Sequence, residues 1–188
     1  MNKYPEYIEV NGKQYKINTD FRVALECDEI ARDSSIKDYE KCLAIIYKLL
    51  GDEGLAAHDD HDVIFKLLIK YLQCGKDMND LNNDKEPSMN FKQDQGYIKA
   101  SFLTDYQKDL DKEEIHWWFF NDLLQGLKED CVLNRVRYIR EEPLDGKKGK
   151  ELTKWQELKK QVALKREKTA EEIELDKYWE EAVKKRGD

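Results

Sequence analysis

Between Tyr7 and Ile17 apolar and polar residues alternate, with Ile8 and Val10 before an Asn11-Gly12 pair and Tyr15 and Ile17 after it. A period of two puts these four side chains on one face. Asn-Gly supplies the positive-φ residues of a tight turn, so the pattern predicts a β-hairpin. Two strands are marginal alone, and the hairpin must lie on another element. The period then becomes helical. Thr19 or Asp20 can cap a helix carrying Phe21, Ala24, Leu25 and Ile30. From about Ser35 a second helix sets Leu43, Ile46, Tyr47 and Leu50 on one face, until "GDEG" breaks it. From Asp60 to Cys74 a broad face of Val63, Ile64, Leu67, Leu68, Tyr71 and Leu72 predicts a third, with Gly75 as its stop.

Residues 76–93 are rich in Asn, Asp, Pro and Ser and read as a linker or mobile loop. Beyond them, Tyr97, Ala100 and Leu103 suggest a helix, with Ile98, Phe102 and Tyr106 on an adjoining strip. A helix around residues 134–141 should stop at Pro143, and "LDGKKGK" forms a joint. In the last 35 or so residues Leu152, Trp155, Leu158 and Val162 make one stripe; Ile173, Tyr178, Trp179 and Ala182 make another on a different face.

The densest apolar segment is "EIHWWFFNDLLQGL" (114–127), predicted to begin near Asp111 with Asp111 and Glu114 as a capping box. At about 100° per residue, Phe119, Leu123, Leu127, Phe120, Leu124 and Trp117 share one arc about 160° wide. They are expected to be core, since an arc of that size is too apolar to leave in water. His116 falls inside the arc and is expected to be buried and hydrogen-bonded. Trp118 falls among Asn121, Asp122 and Gln125. It is expected either to pack on the core or hairpin or to meet a partner.

Composition narrows the class. Charged residues are 39% of the chain, well above an average domain, which suits helices with charged outer faces. No apolar run nears 18 residues, so no membrane span is expected, and "MNKYPEYIEV" does not read as a signal peptide. Four scattered cysteines without a C-x-x-C pair read as reduced thiols. A net charge of −7 argues against general nucleic-acid binding. Residues 147–168 nevertheless hold nine Lys/Arg against three acids, a patch that could meet nucleic acid, an acidic partner or the chain's own acidic part.

Candidate chemistry is sparse. "HDDHD" (His58 to Asp62) has metal-ligand residue types, but acids at a helix start also satisfy free N–H groups, and no second cluster completes a site. Arg135, Arg137 and Arg140 flank Tyr138 and read as a solvated, ion-paired helix edge more readily than as a stacking platform. There is no phosphate loop, nucleophile elbow or HExxH, and neither catalytic residue, cofactor nor metal is assigned.

"INTDFR" (17–22) after a hairpin, "YLQCGK" (71–76), "YIKASFLTDYQKDL" (97–110), "HWWFFNDLLQGL" (116–127) and Tyr138 before an acidic turn together resemble the bacteriophage gene-product-fifteen family. These are small proteins of long-tailed phages and prophages of Gram-positive bacteria. The resemblance covers roughly residues 7–165; its specific parts are the His-Trp-Trp element and the Cys-Gly-Lys helix end. Residues 167–188 extend past it, and the arginine spacing of "NRVRYIREEP" differs from the family's Tyr-Arg, so no inherited role falls on Arg140. The resemblance implies a non-enzymatic tail assembly chaperone in the host bacterial cytoplasm. It would bind the tape measure protein, assist tail-tube assembly and be absent from the mature virion. A second tail chaperone, the tail-tube protein and a second copy of the chain are further candidate partners.

The expected architecture is mainly α. Residues 1–143 form an N-terminal hairpin packed on about six or seven helices; residues 144–188 form a projecting, charged C-terminal helical extension that is not an independent domain. Trp118, Leu152, Trp155, Leu158 and Val162 are the candidate partner-binding residues. Alternative readings are a structural virion component (a head–tail connector or tail completion protein) and a nucleic-acid-binding regulator acting through residues 135–168.

Overall fold

A computed structural model describes residues 4–76 and 87–165, together with 172, 175, 178 and 179. The loop expected at 76–93 therefore falls largely outside the described residues, as do Ile173 and Ala182 of the second C-terminal stripe. Tyr178 and Trp179 are exposed.

The hairpin forms as the alternation predicts. Strands β1 (Tyr7–Val10) and β2 (Lys13–Lys16) pair antiparallel, with Ile8 opposite Tyr15. Asn11 and Gly12 adopt φ of 50° and 79°, the two positive values that a primed turn requires. Ile8, Val10, Tyr15 and Ile17 are all buried, because the hairpin lies on the second and third helices.

Seven α-helices follow among the described residues, and the architecture is mainly α. In α1 (Phe21–Arg32) the cap is Asp20, whose carboxylate accepts from Arg22 N at 2.8 Å. The Arg22 guanidinium reaches on to Leu110 O and Glu113 O, tying the start of α1 to a distant turn. Helix α2 (Asp38–Leu55) is interrupted at Gly51, with φ 66° and ψ −155°, inside the predicted "GDEG" break. Leu49 O accepts from Asn18 N at 2.7 Å, joining this helix to the strand exit. Its buried face is Ile45, Ile46 and Leu49, whereas Tyr47 is exposed, so the predicted face is rotated by one position. A 3-10 turn (His58–Asp60) leads into α3 (His61–Leu72), which buries Ile64, Leu68 and Tyr71 and exposes Val63.

Helix α4 (Gln95–Tyr106) buries Ile98, Ser101 and Phe102. The adjoining strip, not the Tyr97–Leu103 line, is its inner face. Apolar residues surround this helix, so periodicity could not choose between them. Helices α5 (Trp117–Gln125), α6 (Val132–Glu141) and α7 (Gly149–Val162) complete the order. The core centres on Phe120, which stacks on Phe21 at 4.7 Å and on Phe102 at 5.1 Å between ring centroids. Offset stacks of this kind contribute beyond the area they bury. Helix α7 rests on α6 alone among the helices with substantial contact, at the edge of the bundle.

Candidate partner-binding surface

The His-Trp-Trp element is local machinery at a helix junction. The capping box predicted at Asp111 and Glu114 does not open α5; the cap is His116, whose Nδ1 accepts from Trp118 N at 3.0 Å. With Nδ1 accepting, the ring proton sits on Nε2, which lies 3.0 Å from Pro5 O and donates to it. The backbone beside it pairs with the start of α1: Phe21 N donates to Ile115 O and Trp117 N to Thr19 O. A short extended stretch leads into α5 because its backbone groups are used by the residues flanking Asp20.

The two indoles then act as a pair. Trp117 Nε1 donates to Leu72 O and Trp118 Nε1 to Tyr71 O, both at 2.9 Å. A helix end leaves its last four carbonyls without intrahelical partners. Here Ile69 O takes Gln73 N, Lys70 O takes Gly75 N, and Tyr71 O and Leu72 O take the indoles. Gly75 is at φ 79°, and a Cβ there would stand 3.1 Å from the Trp118 ring. The close approach explains why a glycine follows Cys74.

Trp118 is half-buried and stacked on Tyr71, which realises the packing alternative for this residue. Phe119, expected in the core, is 38% exposed and lies against Tyr4, whose hydroxyl bonds to Asp122. Helix α5 starts six residues later than predicted, and its inner face narrows to Trp117, Phe120 and Leu124. Burial holds the Cys74 thiol up at about 11 and the Cys27 thiol at about 12, and all four cysteines are free thiols.

The other candidates lie together on α7. Leu152, Trp155, Leu158 and Val162 form a half-buried stripe turned toward α6, with Trp155 edge-on to Tyr138 at 6.2 Å. Lys147 Nζ sits 4.9 Å from the Trp155 ring centroid and pairs with Glu142 at 2.7 Å, a bond that holds the Glu142 carboxyl below its usual range. Trp118 and the α7 stripe are thus separate places: the first closes the α3–α5 junction, the second lies against α6.

Arg140, given no role from the sequence, organises the end of α7. Its guanidinium grips Asp94 bidentately, Nη1 to Oδ2 and Nη2 to Oδ1, each at 2.7 Å. Both side chains are nearly out of water, at 10% and 1% exposure. Nη1 also donates to Ser88 O, and Nε donates to Val162 O at 2.6 Å. Arg137 bonds to Ser88 and Asn134, so the predicted arginine edge is partly turned inward. Arg140 and Asp94 are 46 residues apart, and no local pattern links them.

The remaining motifs serve the fold. His61 Nε2 bonds to Leu55 O and Asp60 accepts from Asn11, so "HDDHD" joins the hairpin turn to α3. Among the described residues no group of three His, Cys, Asp or Glu is placed to hold a metal ion, and no helix is long and apolar enough to cross a membrane. A groove of about 260 Å³ between α1 and α4 has an apolar floor of Leu25, Phe91 and Ile98 and a charged rim of Glu29, Lys92 and Lys99.

No curated protein and no solved structure matches the chain. The family model described as "Bacteriophage Gp15 protein" matches residues 1–164, nearly all of the described structure and every helix from α1 to α7. The chain belongs to the bacteriophage Gp15 protein family, and is a phage structural or assembly protein.

Proposed function

We propose that this protein is a tail assembly chaperone. It binds the tape measure protein in the host bacterial cytoplasm, assists tail-tube assembly around it, performs no catalysis and is left out of the finished particle. Family membership carries the reading. Two features support it: an α7 whose apolar stripe is only half covered, and, separately, an apolar groove with a charged rim between α1 and α4, each suited to the helix-in-groove mode by which long amphipathic clients are held. Its net charge of −7 would help keep an apolar client in solution.

Co-expression with tape measure fragments, followed by purification through a tag on this chain, tests the reading directly. The client fragment should co-purify, and mass spectrometry of purified particles should lack this chain. Stoichiometric presence in particles would instead establish a connector or completion protein. Retention on DNA or RNA that weakens steeply with added salt would establish the nucleic-acid reading.

A further inference from the structure

We propose that α6 and the turn at residues 88–94 form a preformed seat for a helix C-terminus, that α7 is its resident occupant, and that an amphipathic helix of a client protein takes α7's place. Three observations carry this. First, none of the fourteen residues of α7 is fully buried, whereas each of α1 to α6 buries at least two. Second, the seat is complete without α7. The Asp94 carboxylate is filled by Arg140 and by Asn90 N, and Ser88 O by Arg140 Nη1, which leaves the guanidinium Nε aimed outward to Val162 O. Third, most of the bonds that hold the far end of α7 reach its main chain; the exception is the Lys159 side chain, whose Nζ donates to Arg140 O at 2.7 Å. Arg140 takes Val162 O, and the Gln93 amide takes both Lys165 O and Lys165 N, at 2.9 and 2.7 Å.

A seat that reads mainly backbone groups is largely indifferent to side-chain identity, apart from the cation that Lys159 brings to Arg140 O. A cation facing the negative end of a helix dipole is complementary to any helix C-terminus. Selectivity falls to the stripe: apolar residues at the spacing of Leu152, Trp155, Leu158 and Val162 against Tyr138. The occupant is therefore an amphipathic helix with that stripe and an uncapped C-terminal turn. This inference rests on the proposed role in client binding, but its test does not require the client.

The probe is a fluorescent peptide of residues 149–165, titrated by anisotropy into the full-length chain. The wild type should bind it weakly, because its own α7 fills the seat. A Trp155→Ala/Leu158→Ala chain should bind it about tenfold more tightly, since a filled seat lowers apparent affinity by the fraction that is open. Adding Gln93→Ala should remove that gain. Equal binding by wild type and double variant would overturn the proposal. Hydrogen exchange on the wild type gives an independent reading: α7 amides should exchange about a hundredfold faster than those of α4, because local opening needs less free energy than global unfolding. Equal protection would overturn the proposal, as would a dimer with exchanged α7 helices in sedimentation. Peptide binding without tape measure co-purification would leave the seat standing and remove the function.

Discussion

Two neighbouring indoles share the end of α3, and their loss separates packing from hydrogen bonding. Trp118→Phe keeps a ring over Gly75 but leaves Tyr71 O with one donor fewer, a loss of about 1 kcal/mol. Trp118→Ala also removes the ring and should cost about 3 kcal/mol, the low end for a large aromatic because the residue is half-exposed. Urea midpoints of the two variants check the order; an alanine variant as stable as wild type would assign Trp118 to partner contact alone. Tyr71 offers a test of opposite sign. Its ring is 4% exposed, and its hydroxyl has no hydrogen-bond partner among the described residues. Tyr71→Phe removes a buried polar atom and should raise stability by about 1 kcal/mol in the same assay. At this scale the sequence showed what each residue is but little of what it meets. The wheel set Trp118 apart from the apolar arc and put Phe119 within it, yet Phe119 is exposed and the carbonyl that holds Trp118, Tyr71 O, lies 47 residues away.

Elements were most legible where local chemistry alone decides them. The hairpin needed only alternation and Asn11-Gly12, and α1 needed only its Asp20 cap; both formed where expected. Helix α4 exposed the wrong half of its apolar surround, and α5 lost its first turns to an extended stretch paired with residues 19–21, because tertiary partners settle such choices. The least legible link was that between α6 and the turn before α4. Arg140 and Asp94 form a desolvated pair, and removing one partner strands the other's charge. Arg140→Met should therefore destabilise the fold by about 3–5 kcal/mol, while Arg140→Met with Asp94→Leu should recover most of the loss. Chemical denaturation of the single and double variants measures this. A single variant within 1 kcal/mol of wild type, on the scale of an exposed pair, would show that the pair is not buried in solution.

Over the whole molecule, buried thiols make the fold sensitive to alkali. Burial raises Cys27 to about 12 and Cys74 to about 11, from an ordinary 9.0. The unfolded chain releases these protons first, so their contribution is full below about pH 9 and is lost as pH climbs through 11 and 12. The urea midpoint should fall between pH 8 and pH 10, and native Cys27 should resist alkylation at pH 8; a flat or rising midpoint would contradict the burial. The Trp117–Trp118 clamp has another consequence, for the chain's covalent continuity. The hairpin and α1–α3 meet α4–α7 through the clamp, the pairing of residues 19–21 with 115–117, Arg22 on the 110–113 turn, and the Phe21–Phe120 stack. None of these contacts uses the peptide bonds between Lys76 and Pro87. A protease site inserted there and cut after folding should yield two fragments that elute together and unfold as one. Two halves of this protein, made separately, should find each other and rebuild it.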